Sequence, residues 1–277
     1  MKPRVLKYDI DGDGEPLILV PGGLTGWVSW IPHQERLGRK GYQAIRVQPI
    51  HNELGSAGNP GDPGYTREIE RESLRLTLDE LGIGQADFAG WSGGGKALID
   101  FAVVHGDRVR SLTLIEPAAY WIFQRLGETE PELEEFIRYL NGLSGKEVNE
   151  DDLAVFLSKA GFVDGPASAR DHPYWERAMP HRMTLSWLSK EVMSSETSIE
   201  QLSRIECPAL LTKGTTTEPW GKRVVDLLGE HLPNARVVEL EGSHAHHIES
   251  IDRFIAEIHK HLASVHTGIM TPHPGAE

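Results

Sequence analysis

Two patterns of apolar residues alternate along the chain. Short apolar segments rich in β-branched residues predict strands, and longer segments with an apolar residue every three or four positions predict amphipathic helices. Because the two patterns alternate, the sequence predicts a mostly parallel α/β sheet that is covered by helices on both faces. The predicted strands cover residues 5–10, 16–23, 42–48, 86–91, 111–117, 207–214 and 235–242.

The first 65 residues contain two segments typical of turns and loops. The strand pattern at 5–10 mixes polar and apolar residues, which is typical of an edge strand, and the following "DGDGE" (11–15) predicts a hairpin turn. Its D-x-D-G spacing resembles the start of a calcium-binding loop, but the later ligands of such a loop are missing. The Gly- and Pro-rich segment 52–64 predicts a loop before a long helix at 66–83.

Residues 118–203 interrupt the strand–helix alternation. They contain no strand pattern and several helix patterns, with Pro131 near one helix start and Asn149 as the N-cap of another. We therefore predict a helical cap at 118–203, inserted into an α/β core formed by 1–117 and 204–277. The segment also holds half of the aromatic residues, which suit either anchors of the inserted helices or an apolar lid over a pocket: Tyr120, Trp121, Phe123, Phe136, Tyr139, Phe156, Phe162, Tyr174, Trp175 and Trp187.

Composition narrows the classes of partner. The 277 residues include 28 Lys and Arg against 41 Asp and Glu, a formal net charge of −13, and an acidic surface disfavours binding to a phosphate backbone. The N-terminal segment lacks the apolar core of a signal peptide, and no run of 18 apolar residues predicts a membrane span. The single cysteine, Cys207, favours a reducing compartment. We therefore expect a cytoplasmic protein that binds neither nucleic acid nor membranes.

The segment "GWSGG" (90–94) carries the clearest chemical signal. It fits the pattern G-x-S-x-G and lies between a predicted strand and a predicted helix. In so tight a turn, the residues two before and two after the serine must be small, and the turn exposes the Ser92 hydroxyl at the positive end of the helix. The alternative is a phosphate-binding loop, which would place Ser or Thr after Lys96, whereas Ala97 follows here.

With this motif, nearly the whole chain resembles the α/β-hydrolase family. The resemblance implies that Ser92 is a nucleophile and that a late histidine is its base. His244 follows Gly242 and Ser243 and matches the G-x-H signature of the family. No cofactor is expected.

The histidines around His244 also suggest a metal site. His244, His246 and His247 form the string His-Ala-His-His, similar to the H-x-H-x-D-H ligands of metallo-hydrolases. Ile248 stands where that string has its aspartate, so the predicted site contains no metal, and a metallo-hydrolase stays the less favoured alternative.

The acid partner of His244 is open between two glutamates. The family usually has an aspartate in the loop after the strand at 207–214, where this chain has Thr217. Glu218 is one residue later in a polar loop. Glu116 ends the apolar strand at 111–117, from which some relatives take their acid, and a buried carboxylate needs a partner. We favour Glu116 and keep Glu218 as the alternative.

The resemblance also implies an oxyanion hole and a substrate pocket. The N–H that follows the nucleophile, that of Gly93, is the first expected donor. The segment Pro21-Gly22-Gly23-Leu24 matches the family's His-Gly-x loop and predicts the N–H of Gly23 as the second. Four residues are predicted to contact substrate: Leu24, Trp27, Trp91 and Tyr120.

These features predict a serine hydrolase for a small, largely apolar ester or related acyl compound. It would act through a Ser-His-Glu triad and an acyl-enzyme. The alternative is a non-catalytic or slowly hydrolysing ligand-binding protein on the same scaffold, for which the missing aspartate at Thr217 is the support.

Overall fold

A seven-stranded sheet forms the centre of the molecule. The computed structural model describes residues 1–62, 64–188 and 197–268. The strands follow the spatial order β1-β3-β2-β4-β5-β6-β7, in which every neighbouring pair except β1–β3 is parallel. This is the predicted α/β-hydrolase fold. The strands are β1 (Lys7–Asp11), β2 (Glu15–Val20), β3 (Tyr42–Gln48), β4 (Ala86–Trp91), β5 (Val109–Ile115), β6 (Ala209–Gly214) and β7 (Ala235–Leu240).

Helices connect the strands and cover both sides of the sheet, as the long apolar strands require. Every residue of β4 is buried, and all but one of β5, because these central strands have helices on both faces. The helices are α1 (Ile31–Gly38), α2 (Ile50–Ser56), α3 (Arg67–Glu80), α4 (Gly93–Val104), α5 (Trp121–Leu126), α6 (Pro131–Leu143), α7 (Glu150–Lys159), α8 (Trp175–Ala178), α9 (Ile199–Leu202), α10 (Pro219–His231), α11 (His246–Glu249) and α12 (Ile251–Thr267). No described helix is long and apolar enough to cross a bilayer.

The predicted hairpin at 11–15 is wrong. β1 is an edge strand, as predicted, but it pairs antiparallel with β3, with Tyr8 opposite Val47, and β3 separates it from β2. Both edges of β2 are already occupied by β3 and β4, so the free edge of β3 is the one that β1 can use. The segment between β1 and β2 therefore carries the chain past β3.

The predicted loop at 52–64 begins with a helix. α2 covers Ile50–Ser56, and the buried Glu70 of α3 accepts hydrogen bonds from the backbone N–H groups of Ile50 and His51 at 3.1 and 2.9 Å. The first N–H groups of a helix lack intrahelical acceptors. An acceptor 20 residues away in sequence satisfies two of them here, so the local sequence does not reveal this helix start.

The predicted cap is helical in its described part. α5 to α9 lie within it, and none of its described residues forms a strand. Asn149 caps α7 as predicted: its side chain accepts from the Asp152 N–H, and the Asp152 side chain accepts from the Asn149 N–H. The helix pattern predicted at 181–192 is helical to residue 188, and its last four residues lie outside the described part.

Candidate active site

Ser92 lies at the tight turn from β4 into α4. Its backbone has φ 52° and ψ −117°, a strained conformation for a residue with a side chain. A Cβ on Gly90 would lie 2.7 Å from Leu98 Cδ1 and 2.8 Å from the Gly94 carbonyl. A Cβ on Gly94 would lie 2.5 Å from the Val20 carbonyl oxygen and closer still to that of Pro21. The glycines of G-x-S-x-G therefore permit the turn that presents Ser92.

Glu116 meets His244 directly. The carboxylate oxygen Oε2 of Glu116 lies 2.7 Å from His244 Nδ1, and the two side chains are 3% and 13% exposed. An ionised carboxylate can only accept, so Nδ1 carries the proton and Nε2 is left to act as a base. Glu116 itself has a φ of 38°, so two residues with strained backbones lie side by side at the ends of β4 and β5.

The other oxygen of Glu116 is held by β6 and the loop after it. Oε1 accepts a 2.7 Å hydrogen bond from the Gly214 N–H and a short one from the Thr217 hydroxyl, and His246 Nδ1 lies 3.4 Å away. Burial raises the pKa of Glu116, but the hydrogen bonds from His244 and His246 outweigh it and lower the pKa to about 2. Thr217, at the usual position of the acid, thus supports a carboxylate that comes from the neighbouring strand.

Glu218 lies outside this network. It is exposed at the N-cap position of α10, and among the described residues its carboxylate has no hydrogen bond or ion pair. Its Cγ would lie 3.2 Å from a Cβ placed on Gly161. The structure thus brings Glu116 to His244 and leaves Glu218 exposed, on a part of the core that borders Gly161 of the predicted cap.

Ser92 and His244 border one cavity. Its walls are mainly apolar and come from the predicted cap as well as the core; they are Gly23, Ser92, Gly93, Ala118, Tyr120, Phe136, Leu140, Phe156, Ala160, Leu188 and His244. The cavity is narrow: its free volume is about 30 Å³, on a scale on which one water molecule needs roughly 10–15 Å³. In the described part of the chain no hydrogen bond joins Ser92 Oγ to His244, and such catalytic contacts are often long before substrate binds.

The two predicted oxyanion donors lie next to each other. Gly93 is the first residue of α4, where backbone N–H groups have no intrahelical acceptor. A Cβ built on Gly93 would be 3.7 Å from the Gly23 nitrogen. Both glycines border the cavity with Ser92, so two backbone donors and the hydroxyl share one small space.

The four residues predicted to contact substrate separate into two groups. Tyr120 borders the cavity, and burial raises the pKa of its phenol, which stays neutral. Leu24, Trp27 and Trp91 are not among the described residues of the cavity wall. Leu24 is buried in the core, and Trp27 lies under the Arg46 guanidinium, 5.1 Å from its ring centre. Neither the burial nor the cation–π contact is visible in the sequence.

Trp91 acts on the histidine loop instead of the cavity. Its indole Nε1 donates a 3.0 Å hydrogen bond to the His244 carbonyl, and the two rings are 5.6 Å apart. Phe162 of the predicted cap packs on both rings, and Tyr174 stacks on Phe162 at 5.1 Å. Trp91 therefore fixes the backbone that carries His244.

A comparison with known protein families fits this geometry. Residues 17–257 match the model described as the alpha/beta hydrolase family. The chain belongs to the alpha/beta hydrolase family. Similar proteins include one named as a carbamate hydrolase, RutD, of Azorhizobium caulinodans, 26% identical over 244 residues that cover 87% of this chain and 88% of the relative. Esterase YbfF of Escherichia coli is 25% identical, covering 74% of this chain and 78% of the relative.

Solved structures show the same fold. The enol-lactonase from Burkholderia xenovorans LB400 superposes with a TM-score of 0.73 at 22% identity, over 93% of this chain and 96% of that chain. The carboxylesterase CesB from Bacillus subtilis gives a TM-score of 0.69 at 18% identity, over 95% and 90% of the two chains. By its family match and its named relatives, which are hydrolases of several kinds, the chain is a hydrolase of the alpha/beta family.

The other two histidines of the His-Ala-His-His string lie in different surroundings. In this hydrolase His246 is fully buried, with Nε2 2.9 Å from Thr212 Oγ1 and Nδ1 3.1 Å from the Ser243 carbonyl. His247 is also fully buried, and its ring lies 4.5 Å from Trp91 and 5.3 Å from His33. The described residues contain no group of three or more side chains arranged to hold a metal ion.

The buried histidines predict acid sensitivity of the fold. Burial lowers the pKa of His33 and of His261 to about 4 and that of His247 well below its usual value. Histidines in the unfolded chain protonate near pH 6.5. The contribution of the buried, neutral histidines to the unfolding free energy is therefore fully present above that pH and is lost as the pH falls toward 4. His33 alone should cost about 2 kcal/mol of unfolding free energy between pH 7 and pH 5.

Urea unfolding at several pH values tests this prediction. The loss between pH 7 and pH 5 should be smaller in His33→Gln, whose amide can still donate to the His247 carbonyl that His33 Nε2 contacts at 2.8 Å. Buried Glu116 and Glu70 titrate below this window because their pKa values are lowered. An unfolding free energy that stays constant from pH 7 to pH 5 would contradict the account.

Proposed function

We propose that this protein is a serine hydrolase that cleaves a small, largely apolar ester or related acyl compound through a Ser92-His244-Glu116 triad. The observation that carries the proposal is the 2.7 Å contact between Glu116 Oε2 and His244 Nδ1, beside a cavity that also contains Ser92 and two backbone donors. A carboxylate on Nδ1 orients the imidazole and stabilises the positive charge that it gains during catalysis.

The reaction has two halves. Ser92 Oγ attacks the acyl carbonyl while His244 Nε2 takes the hydroxyl proton, and the N–H groups of Gly93 and Gly23 stabilise the oxyanion of the tetrahedral intermediate. The intermediate collapses, the bond to the leaving group breaks, and His244 returns the proton to the departing oxygen. Water then attacks the acyl-enzyme with His244 as base, and the acid and free Ser92 are released.

The cavity favours an uncharged acyl group. Its described walls contain apolar and aromatic side chains from α6 and α7, and they include no lysine or arginine that would pair with an anionic acyl chain. Two relatives are named as a carbamate hydrolase and an esterase, and both names describe the hydrolysis of an acyl compound. Together these features support a neutral ester with a short acyl chain.

Acyl-chain length should therefore limit turnover. We expect kcat/KM for p-nitrophenyl acetate and propionate to exceed that for the octanoate, because the described walls leave only a narrow cavity beside Ser92. Leu140→Ala removes three carbons from the wall and should raise the octanoate-to-acetate ratio by up to about 50-fold, since each buried CH₂ contributes about 0.8 kcal/mol.

Leu133→Ala is the matched control for this series. Leu133 is also a buried leucine of α6, but it is absent from the described cavity wall. Its replacement should lower the unfolding free energy by about 2–5 kcal/mol, as that of Leu140 should, and leave the octanoate-to-acetate ratio unchanged. A parent enzyme without a chain-length preference, or equal changes in both variants, would mean that this cavity is not the acyl site.

A ligand-binding protein with slow turnover is the second candidate. The missing hydrogen bond between Ser92 Oγ and His244 in the described part of the chain is the observation that favours it. The rate of labelling by a fluorophosphonate separates the two, because an aligned triad activates Ser92 and a misaligned one does not. Labelling as slow in the parent as in His244→Gln would support the ligand-binding protein.

A further inference from the structure

Asn52 lies behind the oxyanion loop. It is fully buried in α2, and its side-chain nitrogen Nδ2 lies 3.1 Å from the Gly23 carbonyl oxygen and 3.5 Å from that of Gly22. A primary amide has two N–H donors. Asn52 can therefore hold two consecutive carbonyls of the loop from one side.

This contact sets the direction of a catalytic donor. In a planar trans peptide the C=O of one residue points opposite to the N–H of the next. When Asn52 holds the Gly22 carbonyl toward α2, the Gly23 N–H must point away from α2. The Gly23 nitrogen lies close to Gly93, where a Cβ would be 3.7 Å from it, so an N–H that points away from α2 is available to the oxyanion beside Gly93.

A buried carboxylate holds α2 in place. Glu70 accepts from the N–H groups of Ile50 and His51, from His51 Nδ1 at 2.9 Å and from the Tyr65 hydroxyl at 2.8 Å. Burial alone would raise the pKa of Glu70, but the hydrogen bonds from His51 outweigh it and hold the pKa below its usual value. The first turn of α2, which includes Asn52, is therefore held by an ionised group.

We infer that Asn52 is a positioning residue for the oxyanion hole, anchored through α2 by Glu70. The inference rests on the proposed function, because it assigns the Gly23 N–H to the oxyanion. Asn52 contacts no reacting atom. Its effect should appear in acylation and deacylation, since an oxyanion forms in both steps, and not in the binding of the ester.

Asn52→Leu tests the inference, because leucine has the same branching at Cγ and no hydrogen-bond donor. With p-nitrophenyl acetate we expect kcat to fall by roughly 10- to 100-fold, less than the loss of a whole oxyanion donor, while KM changes by less than about two-fold. The matched control is Asn59→Leu. Asn59 donates to the Leu54 carbonyl at the surface, so its replacement should leave kcat unchanged.

Asn52→Asp adds a readout that a packing role would not change. A protonated aspartic acid has one O–H donor and an ionised one has none, so the kcat of this variant relative to the parent should rise as the pH is lowered. It also decides the question if Asn52→Leu does not fold.

The inference is overturned if folded Asn52→Leu keeps kcat within about two-fold of the parent, if its whole loss lies in KM, or if the Asn52→Asp ratio is independent of pH. The proposed function fails separately, namely if Ser92→Ala remains active.

Discussion

Replacement of Ser92 by alanine should abolish ester hydrolysis, with kcat lower by on the order of 10⁴-fold or more. The hydroxyl oxygen is the atom that forms the acyl-enzyme, and the described cavity wall contains no other serine and no threonine or cysteine. The fold should persist, because Ser92 Oγ makes no hydrogen bond in the described part of the chain. Alanine also keeps the backbone contacts of the turn, such as the 2.8 Å hydrogen bond from the residue 92 N–H to the Ile115 carbonyl.

Steady-state kinetics and thermal unfolding of both proteins check this prediction. Ser203→Ala is the control, because Ser203 is an exposed serine whose hydroxyl, among the described residues, donates only to the Glu200 carbonyl of the preceding helix α9. It should retain parental kcat. Residual activity of Ser92→Ala near the parental level with every ester tested would exclude the covalent mechanism.

Replacement of Glu116 by glutamine should lower kcat by roughly 10³- to 10⁴-fold, because an amide neither stabilises the imidazolium nor fixes its tautomer. Glu218→Gln should change kcat only a few-fold. Both substitutions remove one negative charge from a pocket that His244 also lines, but only Glu116 contacts His244 Nδ1. The comparison under one assay therefore separates a specific contact from the general electrostatic field.

Thr217 offers a sharper version of this comparison. Its hydroxyl donates to Glu116 Oε1, so Thr217→Val should reduce kcat and Thr217→Ser should preserve it. In the Glu116→Gln background, Thr217→Asp introduces a carboxylate beside the lost one and should restore part of the activity. Equal losses in Glu116→Gln and Glu218→Gln would contradict the assignment of Glu116 as the acid.

Much of the fold follows from the local sequence pattern. The segment 42–48 and the segment 86–91 form strands with the predicted bounds, because both are bounded by turn residues and buried in the sheet. The pairing of β1 with β3 and the start of α2 depend on partners distant in sequence, β3 and Glu70 respectively. A local pattern cannot contain that information.

In the candidate site, too, some residues are recognisable from the local sequence and others depend on partners distant in sequence. The G-x-S-x-G turn and the G-x-H segment identify Ser92 and His244 as candidates because their geometry is encoded within a few residues. The choice between Glu116 and Glu218 depends on how β5 and β6 lie side by side, since the Gly214 N–H and Thr217 hydroxyl hold Glu116 from the next strand. Asn52 is not recognisable from the sequence either, because it lies in a segment predicted to be a loop and its partners, Gly22 and Gly23, are about 30 residues away in sequence.

The central claim, an activated Ser92 that forms a covalent intermediate, is tested most directly by mass mapping after reaction with a fluorophosphonate. The account predicts one adduct per chain, on the peptide that contains Ser92, absent from Ser92→Ala and formed far more slowly in His244→Gln and Glu116→Gln. An enzyme that hydrolyses esters while its adduct forms on another residue, or while Ser92 stays unlabelled, would contradict it.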